Sequence, residues 1–282
     1  MAVAFESFSS RTANVSNTFT LSKPTGTAED DLLIAIINWS ESIDITPPAG
    51  WTEINHTTTG SPYVWAFYKV AGASEGASYG FTFSGSASLQ GNITRYSGVN
   101  TASPIDASSF VRAGAESTPH AFAGVTTSLN NAYLVMFGAV LDYGDATVDF
   151  SGYSVVTSNP TWTERLDIDS NTYDKFSALA TATYATAGAT GNASYAFTNG
   201  PSDTTGVLIA INEEVVNVTV SPDPVVGTFT LPAPTIIGDA NFSVGVLSIT
   251  SSLLAPTVTT QTVSWTYESR PASSTWTIED QI

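Results

Sequence analysis

Apolar residues along this chain come in short runs rich in β-branched and aromatic side chains, bounded by Gly, Pro, Asn and Ser. The three-to-four-residue spacing of an amphipathic helix is nearly absent, so the pattern predicts strands throughout. The clearest runs are 17–21, 31–39, 63–70, 77–83, 92–96, 132–141, 177–184, 193–198 and 206–212. Phe81-Thr82-Phe83 and Tyr195-Ala196-Phe197 alternate, which puts aromatics on one face and small residues on the other. Runs 32–37 and 133–140 are apolar on both faces, as in central strands covered on both sides.

The runs also repeat. Leu32-Leu33-Ile34, Gly50-Trp51-Thr52-Glu53, Ala71-Gly72-Ala73 and Ala77-Ser78-Tyr79-Gly80-Phe81-Thr82 succeed one another in the first half. Tyr133-Leu134-Val135, Thr161-Trp162-Thr163-Glu164, Ala187-Gly188-Ala189 and Ala193-Ser194-Tyr195-Ala196-Phe197-Thr198 stand in the same order in the second. Trp51 and Trp162 are 111 residues apart, and Tyr79 and Tyr195 are 116 apart. Shared order with loop-sized differences in spacing predicts a duplicated β unit. The expected fold is all-β: a jelly-roll-like antiparallel β-sandwich over 1–213 with an internal pseudo-repeat, its halves 1–105 and 106–213.

The pattern changes after Glu213-Glu214. Pro222, Pro224, Pro232, Pro234 and Pro256 restrict the remainder of the chain to extended or edge-strand backbone. Residues 214–282 therefore read as a Pro-rich β or extended C-terminal appendage without a core of its own. Trp265, Tyr267, Arg270, Pro271 and Trp276 are its candidate contacts with another subunit. Trp39, Trp51, Trp65 and Trp162 fall in or beside strands and read as core.

Charge narrows the partners. The 282 residues carry 8 basic against 25 acidic side chains, a formal net charge of −17. That balance argues against nucleic acid, whose phosphates need clustered Lys and Arg, and against anionic membrane surfaces. With no cysteine, thiol chemistry, disulfides and zinc–thiolate sites are excluded. The first ten residues lack a basic stretch followed by an apolar one, so the expected origin is a cytoplasm.

Candidate chemistry is sparse. His56 and His120 lie in Thr/Pro-rich segments that read as loops, with no nucleophile elbow beside them. The echoed Glu53 and Glu164 are the carboxylates a glycosidase would need. Each follows Trp-Thr at a strand start, where a surface glutamate beside a buried tryptophan is the ordinary reading. Asp167-Ile168-Asp169-Ser170-Asn171, with Asp174 beyond, is similar to the opening of a calcium loop. Thr172 then replaces the turn glycine and Ala178 the bidentate glutamate. Asp142, Asp145 and Asp149 form a second acidic group in an expected hairpin turn. No cofactor is expected.

Three longer stretches carry a family likeness: Pro47-Pro48-Ala49-Gly50-Trp51-Thr52-Glu53-Ile54, the run from Trp65 to Glu75, and the run from Ile93 to Asp106. Together they resemble a β-sandwich module recurrent in structural proteins of tailed bacteriophages and in some bacterial surface proteins. Trp162-Thr163-Glu164-Arg165 and the run from Gly206 to Ile211 fit the same module, and the tail is similar to short tandem endings of phage virion proteins. The resemblance implies a non-enzymatic virion protein, made in the host cytoplasm and carried in the particle as a capsid decoration, head-fibre or tail component. It implies other virion proteins as partners, with a homo-oligomer, a trimer, as the expected assembly. The rival expectation is an adhesin binding a host-surface glycan; a glycoside hydrolase is the third.

Overall fold

The computed structural model describes residues 2–116, 118–141, 148–170, 172–198 and 202–214. The expected assembly contacts Trp265, Tyr267, Arg270, Pro271 and Trp276 lie outside these residues, as do Asn171, Asp142 and Asp145.

The chain is all-β. Its first part runs through β1 (Ala4–Ser22), β2 (Leu32–Trp39), β3 (Ile45–Thr46), β4 (Thr52–His56), β5 (Tyr63–Val70) and β6 (Ser78–Ser97). Its second runs through β7 (Ile105–Glu116), β8 (His120–Phe122), β9 (Thr126–Thr127), β10 (Ala132–Leu141) and β11 (Phe150–Val155). It continues with β12 (Thr163–Ser170), β13 (Lys175–Tyr184), β14 (Gly188–Ala189), β15 (Ala193–Phe197) and β16 (Ser202–Ile211).

One large sheet has the order β1-β6-β2-β5-β4 and the other β12-β13-β10-β16-β7, every pairing antiparallel. Reading β7 for β1, β10 for β2, β12 for β4, β13 for β5 and β16 for β6 makes the two orders identical. The match extends to register. Trp39 pairs with Leu89 and Tyr63, and Val140 pairs with Thr204 and Phe176. Gly91 lies opposite Ile37, and Gly206 opposite Gly138. Both copies interrupt the first strand at an acid, with register shifts at Phe5/Ser7 around Glu6 and at the start of β7 around Asp106. Both also interrupt the strand after the shared Trp-Thr-Glu, at Ile54 and at Arg165. A bulge adds one unpaired residue and re-aims the strand, so the two copies share their irregularities as well as their ladders.

Each copy folds a smaller layer over the outer face of its large sheet. In the first, the far ends of β1 and β6 provide it together with β3; β1 bends at Asn17, which holds a positive φ of 67°. In the second, the same path is broken into β8, β15 and β11. Ser9 donates its hydroxyl to the Ser22 carbonyl, and the congruent Ser109 donates to Ala123 O at 2.6 Å, joining the two layers alike.

Three apolar clusters result from this layering. Phe19, Trp39, Trp51, Phe67 and Phe81 fill the first copy beneath its small layer, and Phe122, Phe150, Tyr195 and Leu208 fill the second. A third cluster lies between the two large sheets: Leu32, Ile34, Ile36 and Tyr96 from one, Val135, Phe137, Leu179 and Ile209 from the other. Both faces of β2 and β10 are consequently covered, and every residue of both strands is buried. Sheets packed face to face lie about 10 Å apart.

The contact between the copies is two-fold in character. β1 of the first meets β12 of the second, and reciprocally β4 meets β7. Gln90 Nε2 donates to Lys175 O at 3.1 Å, and Thr205 Oγ1, at the congruent position, donates to Pro62 O at 2.7 Å. Pro62 is in turn the congruent residue of Lys175. Such reciprocity defines an isologous interface, here within one chain.

The differences from the expected elements are informative. Run 17–21 is only the end of β1, and runs 77–83 and 92–96 are one bent strand, β6. β7, β8 and β11 and most of β1 are strands that the apolar pattern does not predict, whereas the strand starts expected at Glu53 and Glu164 are the starts of β4 and β12. Histidines expected in loops lie instead at strand ends: His56 closes β4 and His120 opens β8. Their Thr/Pro-rich surroundings suggest irregular backbone, but the ladders to β5 and β15 hold them extended.

Gly91 and Gly206 permit close packing. A Cβ on Gly91 would stand 2.9 Å from Phe19 Cε1, and one on Gly206 would collide with the Phe122 ring. Gly206→Ala is expected to cost about 1–3 kcal/mol through forced ring displacement, read as a lowered urea midpoint with unchanged slope.

Candidate functional site

The most varied chemistry gathers along the outer rims formed by β4 and β12, the congruent edge strands. In the first copy the bulge at Ile54 turns that side chain onto the central apolar cluster. Glu53 and His56 are left on the outer side, His56 Nδ1 lying 2.7 Å from Glu53 Oε1. The imidazole lies flat on Trp65, ring centroids 3.9 Å apart and planes 5° apart. Trp65 stacks on Trp39 at 6.3 Å, and Trp39 on Tyr63 at 6.3 Å, so the four rings form a ladder. Beside it, between residues 42–44 and the adjoining ends of β4 and β5, lies a hollow of about 200 Å³. Ser42, Asp44, His56, Thr58, Tyr63 and Trp65 line it.

The second copy places different groups at the congruent rim. Asp167 occupies the position of His56, Ala178 that of Trp65, Phe176 that of Tyr63 and Val140 that of Trp39. Tyr153 donates its hydroxyl to Glu164 Oε2 at 2.9 Å, and Trp162 Nε1 donates to Asn159 Oδ1 at 3.0 Å. Desolvation first, then the Glu164 charge, push the Tyr153 hydroxyl far above its ordinary range. Desolvation, followed by the charges of Asp169 and Glu164, pushes the Asp167 carboxyl up to about 7. Asp169 is raised as well, by desolvation and then Asp149.

The folded value of Asp167 lies above its unfolded value of 3.8. The folded chain therefore binds more protons than the unfolded chain between pH 3.8 and about 7, and this group's favourable contribution is lost as pH rises through that window. Because the side chain is desolvated on one side only and stays open to solvent on the other, screening keeps the effect modest. Asp167→Asn is expected to raise the melting midpoint at pH 8 while leaving it unchanged at pH 4, which thermal unfolding at the two pH values checks.

The sequence-derived candidates separate clearly. The segment read as a calcium loop opening is not a loop: Asp167 and Asp169 belong to β12, paired with Ala178 and Phe176 of β13. The β-ladder holds the acids in extended backbone, where a cation-wrapping loop needs tight turns. Asp174 stands in the turn beyond with a positive φ of 52°. Among the described residues, no group of three or more His, Cys, Asp or Glu side chains is placed to hold a metal ion. Glu53 and Glu164 do not meet. Glu53 bonds to His56 above the first copy's cluster and Glu164 to Tyr153 above the second's, on opposite outer sides of the paired sheets. Carboxylates of a glycosidase must instead flank one bond at about 5–9.5 Å.

His120 is a core histidine, 1% exposed and stacked on Phe122 at 5.5 Å. Trp39, Trp51 and Trp65 are core as expected, whereas Trp162 is half-buried, packed against the rim of its cluster. The pattern does not single out Asp44, Tyr63 or Thr58; the register of β4 on β5 brings Thr58 and Tyr63 together, and the segment before β3 brings Asp44 to the same hollow.

A last feature is electrostatic. Seven of the 8 basic residues are described, and each is committed within the chain. Lys69 pairs with Glu75, Arg95 with Asp31 and Arg112 with Asp203. Arg11 and Lys23 donate to the carbonyls of Thr20 and Glu75, Arg165 to Thr181 Oγ1, and buried Lys175 to Tyr173 O. No family model, curated protein or solved structure matches this chain.

Proposed function

We propose that this chain is a non-enzymatic structural protein of a bacteriophage virion, of the capsid-decoration, head-fibre or tail type, assembling through residues 214–282. One observation carries the reading: the duplicated body buries both faces of the central strands of both large sheets in its own chain, and Glu53 with His56 stands on a different rim from Glu164, while His120 is in the core. A body so closed can present surface at a fixed spacing and needs no ligand to be rigid. The resemblance of the Pro47–Ile54, Trp65–Glu75 and Ile93–Asp106 stretches to phage structural modules supports the same reading. Its partners are then other virion proteins, its assembly a homo-oligomer with three-fold symmetry, and its location the particle.

The test is quantitative mass spectrometry of purified particles, with the full chain compared against one ending at residue 213. Recovery of the full chain at fixed stoichiometry, with loss of the shortened one that still melts cooperatively, is the expected result. Absence of the full chain from particles would overturn the proposal. A second reading, recognition of a host-surface glycan, draws on the aromatic hollow beside β4 and is compatible with the first.

A further inference from the structure

The duplication supplies an internal control on what the fold itself requires. Trp51 and Trp162, Tyr79 and Tyr195, and Phe81 and Phe197 recur at congruent places, and each member packs into its own copy's cluster or against it. The ladder does not recur. The second copy builds the same strands in the same register with Asp167, Ala178, Val140 and Phe176 where the first has His56, Trp65, Trp39 and Tyr63. The sandwich therefore does not need four stacked rings at this rim, and the first copy sets them beside a hollow.

We propose that this hollow is a binding subsite for one neutral pyranose ring of a glycan, seated against the ladder and held by Asp44, His56 and the hydroxyls of Ser42 and Thr58. The proposal rests on the glycan-recognising reading above and names its site. Size is the first argument: about 200 Å³ lies below the 300–1,000 Å³ of drug-sized pockets and suits a single ring. Chemistry is the second. A pyranose offers an apolar C–H face and a hydroxyl rim. The hollow offers half-buried His56 and Tyr63 at the two ends of the ladder, each with one face not taken up by the stack. Around them stand a carboxylate acceptor, an imidazole and hydroxyls that both donate and accept.

Charge is the third argument. No Lys or Arg lines the hollow, and the seven described basic residues are all engaged elsewhere. An anionic sugar would meet Asp44 unpaired, a like-charge cost that selects against uronates and sialic acids. A quaternary ammonium would want several ring faces around it, but here the inner rings spend their faces on one another.

The experiment uses the full chain and the methyl glycosides of glucose, galactose, mannose and N-acetylglucosamine at millimolar concentration. Saturation-transfer NMR reads binding, and tryptophan fluorescence reads contact with the ladder. Transfer to the ring C–H protons of at least one glycoside is expected, with a fluorescence change. At least a ten-fold loss of affinity is expected in Asp44→Ala, with an unchanged melting midpoint, and in His56→Asp, the residue the second copy carries there, with cooperative unfolding retained. Three results would each overturn the proposal: no transfer from any glycoside, affinity unaltered in both variants, or displacement by glucuronate or tetramethylammonium more readily than by the parent sugar. Incorporation of His56→Asp into particles is measured in parallel, so a failed sugar site and a failed structural role are told apart.

Discussion

Phe137→Ala should destabilise the protein by about 3–5 kcal/mol, the usual cost of emptying a fully buried aromatic site. Phe137 is fully buried on β10, in the cluster that joins the two large sheets. Its ring is replaced by a cavity that neither sheet can close without sliding on the other. Because that cluster belongs to both copies, the loss should be felt by both. Trp39, Trp51 and Trp65 lie in the first copy and Phe137 and Trp162 in the second, so the fluorescence is read with Trp162, Trp265 and Trp276 replaced by Phe. Tryptophan fluorescence and far-UV circular dichroism should therefore shift to lower denaturant together, in one transition. A fluorescence midpoint that stays in place while the circular dichroism moves would show that the copies unfold separately.

The second large effect concerns the polar link across the same interface, and it should be lopsided. Gln90 is fully buried and donates to Ile168 O and Lys175 O, while its Oε1 accepts from Ser177 Oγ at 2.6 Å and from Asn38 Nδ2 at 3.4 Å. Gln90→Leu removes all four bonds and leaves several buried groups without partners. Each orphaned group costs about 1–3 kcal/mol, so a total loss on the order of 3–5 kcal/mol is expected. Thr205 makes one bond to Pro62 O at the congruent place. Thr205→Val, which keeps the shape, should cost about 1 kcal/mol. Urea titration of both variants checks the contrast. Equal losses would mean that the interface is held by its apolar cluster alone.

Both effects depend on a symmetry that the sequence only partly displays. The echoed Trp-Thr-Glu and Tyr-x-Phe motifs are legible as repetition, and they do mark congruent places, because each aromatic must fill the same gap in its own copy. The bulges after Glu53 and Glu164 are not legible. Ile54 and Arg165 have nothing chemical in common; one packs on the central cluster, and the other lies over the Phe5 ring at 4.9 Å. Nor can the reciprocity of Gln90 and Thr205 be foreseen, since an amide and a hydroxyl reach the same carbonyl position with different lengths.

The candidate site shows the same division. His56 and Glu53 stand close enough in sequence to be noticed, yet the residues that give them a setting come from elsewhere. Tyr63 and Trp65 arrive through β5, and Ser42 and Asp44 through the segment before β3. The loop reading of residues 167–170 is overturned for a related reason. The alternating acids of β12 look like a loop when read alone, and they become one exposed face of a strand only when β13 pairs beside them.

By itself the sequence determined the class of fold, the central strands and the duplication. β2 and β10 must be inside because they are apolar almost end to end, and burial of apolar surface dominates the free energy of folding. The tertiary structure decided how far the edges run and what they pair with. β1, β4, β7 and β12 flank the large sheets with one backbone edge unpaired, so solvent relaxes their side-chain pattern and their extended form is imposed by the neighbouring ladder. It also decided which faces meet. Pattern shows that a strand is covered on both sides but not by what, and that choice rests on register, where a slip of one residue would exchange every inward side chain for an outward one.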